Sequence, residues 1–375
     1  MIYAYHEDRL RRIRNMMNQE GLDGLVLTNL TSLSYTGGTF HSVWNSGVAI
    51  VIPLEGDVTM LAPLGDSFRL EPETWIKDVR PWNPTFWKMP KLTYENLLIK
   101  VIKEKKLDTK RIGIEEDVLL WSTRQMLSEE LPKAKFKNAT NAMYGVMVIK
   151  DEEEIELCRH AAAMTDNGVY AALEIMKPGI TEYDLAGAAD YAMRKSGAEM
   201  YYAPTTISAD YRLGPDHSPT ERLLQKGDIV KMDFHPVYKN YRADRMTVTV
   251  LGKPPAEFKK MCDVIAAGTQ AMLQASVPGK TGADIDKAFN KAIEKGGYKN
   301  LDTTWYLGHG IGTGHLPPFI HPDDQTVLKP NMVIILNPLI FRPGIHSFML
   351  EFMLRVTEDK PELLNKTPLD LIVLE

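Results

Sequence analysis

Six positions carry groups that can ligate a metal or move a proton in surroundings that are otherwise apolar. In Gly227-Asp228-Ile229-Val230-Lys231-Met232-Asp233-Phe234-His235, strand alternation puts Asp233 and His235 on one face, away from Met232 and Phe234. Tyr241-Arg242-Ala243-Asp244-Arg245-Met246-Thr247-Val248 reads as the returning strand, and a turn between the two would bring Asp244 to Asp233. Gly308-His309-Gly310-Ile311-Gly312 sets an imidazole between glycines, which let backbone and ring approach a bound group closely. Met332 to Pro338 is an apolar strand ending in the amide of Asn337, and Glu351 is the single carboxylate in Phe348 to Leu354. A carboxylate in such a run is unfavourable unless it is paired or metal-bound. Three carboxylates and an imidazole together suit a divalent cation, and carboxylate bridges could hold two. Six of the nine histidines lie between 217 and 346. His217 and His315 stand in segments flanking these groups, where an imidazole can hold an oxyanion or shuttle a proton.

The elements that must position these groups show an internal repeat. Residues 168–198 align with 268–298 at a constant offset of 100. Pro178-Gly179-x-Thr181-x-x-Asp184 recurs as Pro278-Gly279-x-Thr281-x-x-Asp284, with Gly168, Ala171, Leu173, Ala188, Ala192, Lys195 and Gly197 also repeated. A helix stops at Pro-Gly, Thr caps the next helix, and Asp sits in its first turn, where the dipole favours it. The spacing predicts a duplicated half-domain with pseudo-two-fold symmetry. The first part of the chain reads differently. Helices over 7–20, 94–105 and 121–130 alternate with short strands at 25–27, 48–52, 58–61 and 111–114, an α/β domain. We place the boundary so that 1–145 form this domain and 146–375 the duplicated one.

Composition narrows the class. At 375 residues, 44% apolar and 25% charged, the chain is of ordinary globular type and long enough for more than one core. A net charge of −5 without a basic block argues against nucleic acid or a membrane surface as partner. Two cysteines 104 residues apart offer neither a disulfide framework nor a zinc-site spacing. With a charged N-terminus and no long apolar run, the expectation is a cytoplasmic protein.

On these residues the sequence resembles the creatinase, prolidase and aminopeptidase P group of pita-bread hydrolases. The stretch from Glu7-Asp8-Arg9-Leu10 to Tyr35-Thr36-Gly37-Gly38 is similar to that family's N-terminal domain, and Val148 to Ile155 to its inter-domain helix. His217, the Asp233–Asp244 pair, the Gly-His-Gly-Ile-Gly segment, the strand to Pro338 and Glu351 follow in the family's order. The resemblance implies a creatinase-like α/β domain followed by a duplicated pita-bread domain. It implies that Asp233, Asp244, His309 and Glu351 match four of five metal ligands, with Glu351 also serving catalysis. His217 and His315 match the two histidines that handle substrate and protons, although His315 stands one residue nearer His309 than the pattern suggests. It further implies one or two divalent ions per protomer (manganese, iron, zinc or cobalt), a short-peptide or other small substrate with proline after the scissile bond, and a homodimer. Arg342, Tyr201, Tyr202 and Trp44 are candidate substrate contacts.

Departures from the pattern matter as much. The fifth ligand position is Asn337 where the family has Glu, and an amide is a poorer ligand that brings no charge. His235 replaces a glycine usual there, and either supplies a compensating ligand or fills an altered pocket. Arg245-Met246-Thr247, Leu316 and Met349 also differ from the family's pattern. The leading expectation is a metal-dependent hydrolase related to Xaa-Pro peptidases, with room for a non-peptide substrate. The alternatives are a creatinase-like, metal-independent C–N hydrolase using His217, a metal-dependent lyase of the dimethylsulfoniopropionate lyase type, and a non-catalytic pita-bread binding module.

Overall fold

The computed structural model describes residues 6–38, 47–83, 93–209, 217–299, 306–342 and 346–375, and the chain divides into two compact units, Met1–Met147 and Val148–Glu375. In the first unit, the four runs read as strands in the sequence join Asp78–Trp82 and Lys135–Asn138 in one six-stranded mixed sheet. Its order is Asp78–Trp82, Thr59–Pro63, Ala49–Pro53, Gly24–Leu27, Arg111–Ile114 and Lys135–Asn138. The three pairs Thr59–Pro63 with Asp78–Trp82, Gly24–Leu27 with Arg111–Ile114, and Arg111–Ile114 with Lys135–Asn138 are parallel, and helices cover them as parallel pairing demands. Helix Tyr94–Glu104 starts at Thr93, whose side chain accepts from Asn96 N, and buries Leu98, Val101 and Ile102 against Val26, Leu61 and Ile112.

In the second unit the repeat is visible as two helix pairs, Glu152–Ile175 with Glu182–Lys195 and Ala256–Ala275 with Gly282–Lys295. Thr181 and Thr281 both act as N-caps in full capping boxes with Asp184 and Asp284, as the repeated motif predicts. The same threonines bridge to Leu223 and Val327 in the two halves. Each pair covers β-structure. The first half contributes a four-stranded sheet in the order Ile372–Leu374, Arg245–Leu251, Ile229–Phe234, Thr206–Ser208. The second contributes a five-stranded sheet in the order His315–Phe319, Gly308–Ile311, Val333–Leu336, Phe352–Arg355, Glu362–Leu363. Burial follows the two-residue period: Ile334 and Leu336 join the core under the second helix pair, while Val333 and Ile335 face a core formed with Ile155, Cys158 and Ala162. Both cysteines are buried free thiols, with burial pushing each up to about 12, so neither is poised for reaction. Among the described residues no helix is long and apolar enough to cross a membrane.

The glycines around His309 have a different purpose from the one their motif suggests. Gly308 has φ 145°, and a Cβ there would lie 2.2 Å from Ile335 O. At Gly310 a Cβ would lie 2.3 Å from Pro317 O. They make way for the backbones of the two neighbouring strands rather than for a bound group.

Asp166, on helix Glu152–Ile175, secures a segment almost two hundred residues later. Its carboxylate accepts from Lys366 N at 2.7 Å, Thr367 N at 3.2 Å, Thr367 Oγ1 at 2.6 Å and Asn365 Nδ2 at 3.3 Å. Asp166→Ala would strand several buried donors at once, and we expect it to lower unfolding free energy by about 3 kcal/mol. The shift in urea midpoint at unchanged slope measures this.

Candidate metal centre

Two antiparallel strands of the first half set the acidic pair. Ile229–Phe234 pairs with Arg245–Leu251 in a register that places Met246 opposite Asp233 and Arg245 opposite Phe234. Val230, Met232 and Phe234 enter the core beneath the first helix pair, so Asp233 projects from the other face. Asp244 immediately precedes the returning strand and reaches the same space. The second half supplies the rest. His309 lies on Gly308–Ile311 opposite Ile335, and Asn337 follows Val333–Leu336. Glu351 occupies a break between His346–Met349 and Phe352–Arg355. The two halves meet here: Glu351 N donates to Met246 O at 3.1 Å, and Met246 N to Glu351 O at 3.3 Å.

Asp233, Asp244, His309 and Glu351 are all buried, between 2% and 6% exposed. One ligand atom each from Asp233, His235, Asp244 and Glu351 lies within 4.8 Å of the others, and the same holds for Asp244, His309 and His315. Asp244 therefore belongs to both groups. His235 Nε2 is 3.1 Å from Asp233 Oδ2 and 3.6 Å from Asp244 Oδ1, and His309 Nε2 is 3.6 Å from Asp244 Oδ2. The His309 and His315 ring centroids are 4.0 Å apart.

The electrostatics follow from this crowding. Burial opposes the ionised form of Asp244, but the His309 and His235 rings outweigh it and hold its carboxyl well below the usual range. Burial likewise opposes charge on His235, yet Asp233 and Asp244 raise its pKa to about 10. Burial, aided by His309, pushes His315 down to about 3, so that ring stays neutral. Burial and the Asp244 charge push the Tyr202 phenol well above its ordinary value. It stays protonated and donates a hydrogen bond to Asp244 Oδ2 at 2.6 Å.

The donor set fits a divalent cation. Asp244 Oδ1, Asn337 Oδ1 and His315 Nε2 are buried and have no hydrogen-bond partner among the described residues. Buried polar atoms in native interiors are nearly always satisfied, and carboxylate oxygen, amide oxygen and imidazole nitrogen are all atoms that a cation satisfies. Asn337 Nδ2 is engaged differently, donating to Glu351 Oε1 at 2.8 Å.

Of the other residues singled out in the sequence, Tyr202 belongs to this cluster, where it holds a carboxylate. Its ring lies under the Arg242 guanidinium at 4.8 Å. Tyr201 points elsewhere: its hydroxyl donates to Asp190 O at 3.1 Å, and Arg194 covers its ring. His217 is half-buried and belongs to neither group of metal-capable residues. It lies just before Thr220, whose N and Oγ1 are held by the buried Glu182 carboxylate. Arg342 ends the strand Leu339–Arg342, and its side chain falls outside the described residues, as does Trp44 altogether.

One contributor was not read as functional from sequence. Arg245, fully buried, donates from Nη1 to Glu351 O at 2.7 Å and Met246 O at 3.1 Å, from Nε to Thr367 Oγ1 at 3.0 Å, and from Nη2 to Pro368 O at 2.8 Å. It fixes the backbone of Glu351. The signal available was an arginine at the head of the strand run Met246 to Leu251, directly after a candidate ligand.

The fold and site together define a pita-bread metallohydrolase with a creatinase-like N-terminal unit. Residues 156–358, more than half of the chain, match the model of metallopeptidase family M24, and residues 9–146 match that of the creatinase/prolidase N-terminal domain. The chain belongs to metallopeptidase family M24. It is 27% identical to the Xaa-Pro dipeptidase of Pyrococcus furiosus over 377 residues, covering 98% of this chain and 100% of that one. It is 23% identical to a creatinase from a Bacillus species, covering 96% and 90% of the two chains. Among solved structures, the X-Pro aminopeptidase of Thermotoga maritima superposes with a TM-score of 0.85 at 24% identity, covering 97% and 99%.

Tyr202→Phe removes one hydrogen bond to a ligand oxygen without changing the ring. We expect divalent-metal affinity, measured by titration calorimetry, to fall about 10- to 100-fold, the effect typical of an outer partner of a metal ligand. The far-UV circular dichroism should not change.

Proposed function

We propose that this chain is a metal-dependent peptidase of Xaa-Pro type, with its chemistry in the duplicated domain of residues 146–375, which the domain of residues 1–145 precedes in sequence. The observation that carries the proposal is the buried convergence of Asp233, Asp244, His309 and Glu351 from both halves of the repeat. These four residues would hold the metal. A divalent cation bound there supplies Lewis acidity toward a carbonyl oxygen and makes water acidic enough to deprotonate near neutral pH.

The chain's own groups supply the remaining steps. Glu351 takes a proton at its carboxylate, and the Asn337 amide, donating to Oε1, orients it. Tyr202 and Arg245 fix Asp244 and Glu351 so that little rearrangement accompanies reaction. His315, whose ring stays neutral, donates an N–H to the developing oxyanion, and His217 protonates the leaving nitrogen. The relatives named as Xaa-Pro dipeptidase and X-Pro aminopeptidase support a short peptide with proline after the scissile bond as substrate. Asn337 alters the donor set beside that bond and admits a non-peptide amide as a second substrate class. A cytoplasmic homodimer completes the reading.

The test joins metal content to turnover. Untagged protein purified without chelator should contain about one or two divalent ions per protomer and hydrolyse dipeptides ending in proline. Asp244→Ala should lower kcat/KM by about 10³-fold or more, since Asp244 is common to both metal-capable groups. Full turnover by that variant would sink the proposal. Protein that neither contains metal nor can be loaded would move the metal-independent reading centred on His217 to the front.

A further inference from the structure

We infer that His235 is a metal ligand of this centre, so that the donor missing at Asn337 is replaced by an imidazole from the opposite half of the repeat. The inference rests on the reading of the cluster as a metal centre and goes beyond it in assigning the ligand set and hence the class of cation.

The argument begins with the ring's two nitrogens. His235 Nδ1 is 3.1 Å from Pro204 O. A carbonyl oxygen only accepts, so Nδ1 carries the hydrogen and donates it. Nε2 is thereby left to face Asp233 Oδ2 and Asp244 Oδ1, at 3.1 and 3.6 Å. Nε2 and the two carboxylate oxygens thus converge on one buried space, where a divalent cation can take the place of the proton that His235 and Asp233 otherwise share. His309 is built the same way. Its Nδ1 is 3.0 Å from Gly310 O, while Nε2 points to Asp244. A backbone carbonyl on one nitrogen and a carboxylate-lined space on the other is how proteins orient an imidazole for ligation. Two rings in one buried centre share that arrangement, and both reach Asp244.

The position is also fixed from outside. The Tyr202 ring meets His235 edge-on at 5.1 Å, and the same tyrosine donates to Asp244. His235 is only 6% exposed, so its ring is not spending its nitrogen on solvent. Asn337, in turn, uses its amide nitrogen as a donor to Glu351, a task no glutamate could perform, and can add only a neutral oxygen. The resulting set of Asp233, Asp244, Glu351, His309 and His235 has two imidazoles among its five donors. Such a set suits borderline cations such as zinc, cobalt or iron over the hard magnesium and calcium ions.

Cobalt(II) provides a readout independent of activity. In the paramagnetic protein, each ligating imidazole gives one exchangeable N–H proton resonance shifted far downfield. The Nδ1–H of His235, sheltered by Pro204 O, should appear in wild type loaded with cobalt. It should vanish in His235→Gly while the His309 signal persists. By calorimetry that variant should bind cobalt about 100-fold more weakly or worse, at or beyond the upper range for losing an outer partner. His235→Gln, closer in size, guards against a folding defect and should lose the same resonance. Cobalt binding with an unchanged set of shifted resonances in both variants would overturn the assignment of His235 and leave the metal centre standing. Failure of wild type to bind cobalt would overturn the metal centre itself, and the assignment with it.

Discussion

Three buried carboxylates within a few ångströms of one another form an arrangement that a protein interior opposes. Asp233, Asp244 and Glu351 are each almost fully buried, and like charges this close in a medium of low polarity repel strongly. Everything around them can be read as a response. Hydrogen-bond donors reach the carboxylates from Tyr202 and from the Asn337 amide. Imidazoles are set between the acids. What remains is the electrostatic demand for positive charge that makes the centre a receptor for a divalent ion.

The duplicated architecture makes such a centre attainable. The helix pairs pack on strands of both halves: Met246, Val248 and Val250 join the core under the second pair, while Val333 and Ile335 pack on Ile155, Cys158 and Ala162 of the first. The first half presents Asp233, His235 and Asp244, and the second presents His309, Asn337 and Glu351. Neither half holds enough ligands by itself. The short backbone link between Met246 and Glu351 sets one group against the other, and the Arg245 guanidinium, whose pKa burial pulls down to about 10, locks that link while still charged.

Much of this was legible in the sequence because it obeys local periods. Strand alternation puts Asp233 and His235 on one face, and the structure has them 3.1 Å apart. Thr181 and Thr281 announce their caps by the aspartate three residues on. The rest was set by partners distant in sequence. The apolar run 348–354 gives no sign that its strand breaks at Glu351, because the break is made by pairing with Met246. Adjacent tyrosines 201 and 202 look interchangeable, yet one braces a helix and the other a carboxylate, a choice made by the backbone between them. The glycines beside His309 suggested close approach, correctly, but the approaching groups are strand carbonyls that only the assembled sheet reveals.

The chain of contacts from Asp166 through Thr367 to Arg245 and the carbonyl of Glu351 couples the centre to the order in which the protein is made. Arg245 and Thr367 are 122 positions apart, and Asp166 and Thr367 are 201. During synthesis the five acidic and imidazole ligands all emerge before the segment that holds Glu351 in place. A nascent chain therefore carries every ligand and no rigid centre. Closure of the segment at 365–367 completes the brace, so the competence to hold an ion tightly arrives last, with the docking of residues that never touch it.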